Sequence, residues 1–226
     1  MNEPAAIFIA AHPDDLAAVA GTFALLKRKG YRLFDICITR GEGGRPPGQG
    51  LDTVTVRRKE EEAACALLGA ELTMFDEPDG ALYARREICE ALAARLAEIQ
   101  PSVAIAHWPF EKPDHSAAFS IAFKALSLAK LNWTTEFYMA DIYGTGDMFL
   151  PELYVNISDV MDVKTAVSNC YRNQWKDTAA ERTIPMAQAA GKLAWCDYAE
   201  GFKTAVPLVG TRWNRPAEVG RALLSL

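Results

Sequence analysis

The sequence predicts an α/β fold, Rossmann-like, in which a mostly parallel sheet is flanked by helices. Three observations carry this. Short continuous apolar runs at Ala5–Ala11 and Val103–His107 have the pattern of strands buried on both faces. Segments with helical apolar spacing separate the strand-like runs. Glycines at 30 and 69 punctuate the first two helical segments where they should stop. Strand–helix–strand alternation of this kind implies parallel pairing through right-handed crossovers.

In order, Ala5–Ala11 reads as the first strand and Leu16–Lys29 as the first helix, with Val19, Phe23 and Leu26 on one face. Leu33–Thr39 is the second strand. Residues 39–55 hold five Gly and two Pro and read as a loop bordering a site. A helix over Val56–Leu68, a short strand at Leu72–Phe75, a helix over Arg85–Ile99, the strand Val103–His107 and a helix over Ser116–Ala129 follow. Beyond this the pattern is less regular, with strands expected at Thr135–Tyr143 and Leu153–Ile157. Helices are expected over Val160–Trp175 and within Leu193–Phe202. The reading is one domain over 1–226, a core of about 1–130 and a less regular α+β elaboration over about 131–226.

Composition narrows the function. With 226 residues, 24 basic and 29 acidic side chains, the net charge of −5 argues against a nucleic-acid partner. No run approaches the roughly 18 apolar residues of a membrane span, and the N-terminus lacks the cationic start of a signal peptide. Five cysteines without a CxxC pair fit reduced structural thiols. A cytoplasmic chain is expected, with homo-oligomerisation left open.

In parallel sheets ligands bind beyond the carboxyl ends of strands. All three histidines lie there: His12 after the first strand, His107 at the end of the fourth, and His115 at the start of the next helix. His12 and Asp15, three apart in a tight turn, make with His115 a two-imidazole, one-carboxylate set that leaves positions open for water and substrate. That set suits catalytic zinc, and equally ferrous iron. Asp14, beside Asp15, reads either as a base for an activated water or as the cap of the following helix.

The stretch Ala11-His12-Pro13-Asp14-Asp15, with Pro113-Asp114-His115 far downstream, resembles the LmbE/PIG-L family of zinc-dependent N-deacetylases. Thr39-Arg40-Gly41-Glu42-Gly43 looks like the family's glycine loop, and Arg57-x-x-Glu60 before Leu68-Gly69 is similar to its second-helix signature. The resemblance extends through Val155–Val160 and Lys164. It implies one zinc on His12, Asp15 and His115, and Asp14 as general base. It also implies that Asp114 takes part in proton relay with a histidine that supports the oxyanion, at the position this chain fills with Lys112, and that Arg57 and Asp79 contact a sugar. On their own, Arg57 reads equally as a solvated helix residue and Asp79 as a turn former beside Gly80. The chain departs from the pattern where Lys112 stands in place of a histidine and where Tyr171-Arg172-Asn173-Gln174 replaces a His-x-Ser-Gln segment. Lys112 then supplies a cation for an oxyanion, or Tyr171 a hydrogen bond, unless Lys112 only faces solvent.

The implied function is removal of an acyl group, acetyl first, from the amide nitrogen of an amino-sugar-containing small molecule. A metal-binding member of the same fold without turnover, motivated by the missing histidine, is the alternative.

Overall fold

The computed structural model describes residues 3–45, 52–142, 149–176, 182–205, 223 and 226. Its strands are β1 (Ala5–Ala10), β2 (Arg32–Thr39), β3 (Ala70–Glu77), β4 (Val103–His107), β5 (Glu136–Ala140), β6 (Leu153–Asn156) and β7 (Ala199–Thr204). Its helices are α1 (Ala20–Arg28), α2 (Thr53–Leu68), α3 (Arg86–Ile99), α4 (Pro113–Leu128), α5 (Met161–Ser168), α6 (Arg172–Trp175) and α7 (Ile184–Ala194). One sheet runs β3-β2-β1-β4-β5-β7-β6. The first five strands are parallel, and β7 pairs antiparallel with both β5 and β6.

Alternation along the central strands divides the core into two layers. Ala6, Phe8 and Ala10 of β1 pack with Phe23 and Leu26 of α1, Leu68 of α2 and Val167 of α5. Ala5, Ile7 and Ile9 pack on the other face with Leu92 and Leu96 of α3 and Ile121 and Ala125 of α4. The chain steps outward from β1 through β2 to β3 and then crosses to β4 on β1's other side. The β1/β4 junction is therefore the topological switch point, where the strand ends splay and leave a crevice.

Several elements depart from expectation. A 3-10 turn over Asp15–Val19 precedes α1, so the helix starts later than Leu16. β3 extends over Ala70–Glu77 rather than Leu72–Phe75, because pairing with β2 holds residues whose half-exposed pattern hides the strand. The helix expected over Val160–Trp175 is broken at Tyr171, whose buried ring and hydroxyl contact with Glu61 override helix continuation. The helix expected within Leu193–Phe202 is replaced: α7 ends at Ala194 and β7 follows. Glu200 disguises that strand. It reads as polar yet is buried, paired with Lys164 at 2.6 Å and accepting the Gly21 and Thr22 amides at the start of α1. Part of the 39–55 loop, residues 46–51, and Tyr143 at the end of the fifth expected strand lie outside the described residues. All five cysteines are free.

Candidate metal centre

At the end of β1 the chain turns at Pro13 and passes through Asp14 with φ of 112° and ψ of −18°, a conformation that side-chain-bearing residues avoid. That twist sends adjacent carboxylates in different directions. The Asp15 carboxylate accepts the His12 amide at 2.8 Å and lies 3.2 Å from His107 Nε2 and 3.8 Å from His115 Nε2. Asp14 makes no side-chain cap. Its Oδ1 accepts from Arg57 Nη2 at 3.0 Å and its Oδ2 from the Trp175 indole at 2.7 Å. The cap alternative for Asp14 is thus not what this turn uses.

Asp15 lies 3.5 Å from His12 Nδ1 and 3.8 Å from His115 Nε2, and the three residues form one candidate donor group. These separations are close to the edge of roughly 3.3–3.6 Å between donors on a tetrahedral ion with arms of about 2.0–2.2 Å. Each imidazole also has a carboxylate on its far side. His12 Nε2 is 3.2 Å from Asp114 and 3.3 Å from Asp79, leaving Nδ1 toward Asp15. His115 Nδ1 is hydrogen-bonded to Glu111, leaving Nε2 toward Asp15. Outer carboxylates of this kind fix the tautomer and raise the basicity of the ligating nitrogen. Asp114 is itself held by the Gly80 and Leu82 amides at 2.7 and 3.2 Å, and Glu111 by the Ile142 amide. The donor set and its supports fit a divalent ion.

Electrostatics agree. Burial works against charging His12, but Asp114, Asp15 and Asp79 outweigh it and push its pKa up to about 12, the mark of a carboxylate-rich cluster that favours a cation. Burial pushes Asp14 up to about 6 against the pull of the Arg57 guanidinium, which suits a base working near neutrality.

Arg57, buried on α2, ties the turn to the glycine loop. It donates to the Pro13 and Gly41 carbonyls, to Asp14 and, at 3.3 Å, to Asp79. The loop needs glycine there. Gly41 has φ of 75°, and a Cβ on Gly44 would sit 2.6 Å from Arg57 Nη1. Arg57 and Asp79 are therefore neither a solvated residue nor an isolated turn former; both reach the cluster. Lys112 is exposed at the residue before α4, and the side chain that reaches inward from this loop is its neighbour Glu111. Tyr171 is buried and spends its hydroxyl on Glu61 at 3.2 Å, so it is not the donor to an oxyanion.

Three residues at the site, His107, Glu111 and Glu61, are not singled out as site residues by the sequence. Trp175, by contrast, is one of four aromatics, with Trp108, Phe110 and Trp133, that read either as core or as the lining of a sugar-binding mouth. His107 accepts the Ala11 amide at 2.8 Å and packs against His115, with ring centroids 3.8 Å apart and the ring planes tilted by 31°. The even spacing His107, Glu111, His115 was the available signal. It is obscured because those residues span a strand end, a loop and a helix start. Glu61 accepts the Asp14 amide at 2.7 Å and so holds the strained turn from beneath.

The α/β sheet thus carries, in its switch-point crevice, a two-histidine, one-aspartate group that could hold a metal ion, beside a braced carboxylate. Residues 7–126 match the family described as PIG-L: GlcNAc-PI de-N-acetylase, and the chain belongs to that family. It is 28% identical over 228 residues to a diacetylchitobiose deacetylase of Thermococcus kodakarensis, covering 90% of this chain and 85% of the relative. It is 29% identical over 176 residues to a probable N-acetyl-alpha-D-glucosaminyl L-malate deacetylase 2 of Bacillus cereus, covering 72% and 80%. The crystal structure of GalB, a 4-carboxy-2-hydroxymuconate hydratase of Pseudomonas putida, superposes with a TM-score of 0.79 at 23% identity, covering 92% of this chain and 98% of that one. That last likeness shows the fold alone. Among the described residues no helix is long and apolar enough to cross a membrane.

Proposed function

We propose that this protein is a metal-dependent N-deacetylase that removes an acetyl group from the amide nitrogen of an amino-sugar-containing small molecule. His12, Asp15 and His115 hold one zinc ion. The observation that carries the reading is Asp14: a buried carboxylate beside the donor set, used neither as ligand nor as cap, and aimed by Arg57 and Trp175.

When bound, zinc supplies Lewis acidity at the acyl carbonyl and makes a water molecule acidic near neutrality. The chain's own groups do the rest. Asp14 accepts the proton of the attacking water and passes it to the departing amine, the usual double duty of a general base. Arg57 and Trp175 fix the carboxylate's direction. Asp114 and Glu111 orient the two imidazoles. Asp79 and Arg57, at the mouth of the glycine loop, are placed to meet sugar hydroxyls.

The site carries Asp14, Asp15, Asp79, Asp114 and Glu111, with Arg57 already bonded to two of them. This excess of negative charge suits a neutral sugar amide better than the carboxylated muconate named for the fold neighbour. The test is Asp14→Asn. Zinc content should stay at one per chain while deacetylation of N-acetylglucosamine derivatives falls by about 10²–10⁴. Metal analysis distinguishes zinc from iron, and His115→Ala should lose the ion on dialysis. Near-normal turnover in metal-loaded Asp14→Asn would remove the mechanism; bound zinc with no acetate release from the native chain would favour the non-catalytic alternative.

A further inference from the structure

The two oxygens of Asp14 face different surroundings. Oδ1 meets the polar Arg57–Asp79 side, whereas Oδ2 meets Trp175, whose ring also lines a cavity of about 590 Å³. That volume lies within the roughly 300–1,000 Å³ of small-molecule sites and far exceeds what an acetyl group fills. The walls are apolar, with Phe149, Pro151, Met186, Ala190 and Phe202, and the rim exposes Leu150 and Leu193, 69% and 67% accessible. Four charged groups, Asp141, Lys164, Arg182 and Glu200, stand on the wall, and each has a protein partner: Asp141 interacts with Glu111, and the others with neighbours on the wall or at the start of α1. Lys164 binds Glu200 and the Ala17 and Ala18 carbonyls, and Arg182 lies over the Trp175 ring at 5.1 Å. An anionic or strongly hydrated substituent would find little there to replace its water.

We infer that this cavity is a specificity pocket for an apolar group carried by the substrate, an alkyl or aryl moiety several carbons long. The inference rests on the deacetylase reading and deepens it: the preferred substrate is an amino sugar with an apolar arm, unlike the malate or second sugar in the names of the relatives. The arm is either the N-acyl chain or the group on the anomeric oxygen, since both present the same chemistry to these walls.

Two substrate series on the zinc-loaded full chain test this. One runs from N-acetyl- to N-octanoylglucosamine and the other from methyl to octyl glycosides of N-acetylglucosamine. Each buried methylene is worth up to about 4-fold, so kcat/KM should rise at least about tenfold along one series, which identifies the arm. Flat profiles in both overturn the inference. Leu193→Asp, at an exposed position that leaves folding intact, should collapse the ratio between longest and shortest compound; an unchanged ratio also overturns it. If neither series is hydrolysed, the deacetylase reading fails, and the pocket is judged by tryptophan fluorescence titration. Octyl or octanoyl compounds binding at least about tenfold tighter than N-acetylglucosamine sustain the pocket, and equal binding ends it. Flat series together with a dimer that Leu193→Asp converts to a monomer would assign the cavity to a second copy of the chain and refute the proposal.

Discussion

Replacing Glu111 with Gln separates metal affinity from fold stability. The Glu111 side chain is fully buried and accepts from two donors, His115 Nδ1 and the Ile142 amide, with His107 Nδ1 3.7 Å away and not hydrogen-bonded to it. Burial opposes its ionisation, yet the two histidines outweigh burial and hold its pKa down to about 2, so it works as a carboxylate. A glutamine has one acceptor oxygen for those donors. If that oxygen stays on Ile142, the amide NH₂ faces His115 Nδ1 and forces the imidazole to accept there. The proton then moves to Nε2, the nitrogen turned toward Asp15, and blocks ligation. Loss of such an outer carboxylate typically costs 10–100-fold in metal affinity. The lost charge-assisted bond costs about 1.5–3 kcal/mol in the metal-free fold, or roughly 3–12 °C in melting temperature for a chain of this size. Zinc competition with a chromogenic chelator and thermal melts of the metal-free protein measure the two effects. A folded Glu111→Gln variant with native zinc affinity would refute the tautomer argument.

Three further outcomes follow from named contacts. Asp35 is fully buried beside Glu61 and Cys65, and burial pushes its carboxyl up to about 7. Its proton is therefore held in the native state above the unfolded value of about 3.9, so this group's stability contribution is complete below about pH 4 and fades as pH rises through about 7. Urea unfolding should show Asp35→Asn flattening the decline between pH 5 and 8; an identical slope in both proteins contradicts it. Lys164→Ala strands the Glu200 carboxylate that caps α1 and should destabilise by about 3–5 kcal/mol, which a loss under 1 kcal/mol in denaturant melts would disprove. Gly44→Ala puts a Cβ 2.6 Å from Arg57 Nη1 and 2.8 Å from Gln174 Oε1, so kcat should fall tenfold or more with zinc content unchanged, and native kcat would show that Arg57 does not aim the base.

The parallel core was legible because its signals are local. Continuous apolar runs marked β1, β2 and β4, and the β4 boundaries of Val103–His107 are as expected. The donor set was legible because His12, Asp15 and His115 follow strand ends in a fold class whose crevice position is known in advance. The supporting groups were not. Glu111 and Glu61 reach the site from a loop and the middle of α2, and nothing in their own neighbourhoods distinguishes them from solvated or core residues. The C-terminal strand was missed for a related reason. Glu200 and Lys164 neutralise each other across 36 positions of sequence, and a pair is invisible to a reading that scores one residue at a time.

Asp14 and Asp15 show how far chemistry here is set by backbone rather than by residue type. The two are identical and adjacent, and either could ligate or act as base. The φ of 112° at Asp14 decides between them, because it turns one carboxylate to the histidines and the other to Arg57 and Trp175. A non-glycine residue in that region costs about 1–3 kcal/mol and persists only where its surroundings fix it. Here they do so on every side. Glu61 takes the Asp14 amide, Arg57 grips the Pro13 carbonyl and the Asp14 carboxylate together, and the Asp15 carboxylate closes the turn on the His12 amide. The bonds that hold the strain are the bonds that aim the base, so loosening the turn and disabling the proposed proton acceptor are one event. That is why Glu61, a buried glutamate on α2 that is bonded to none of His12, Asp15 and His115, bears on the proposed mechanism.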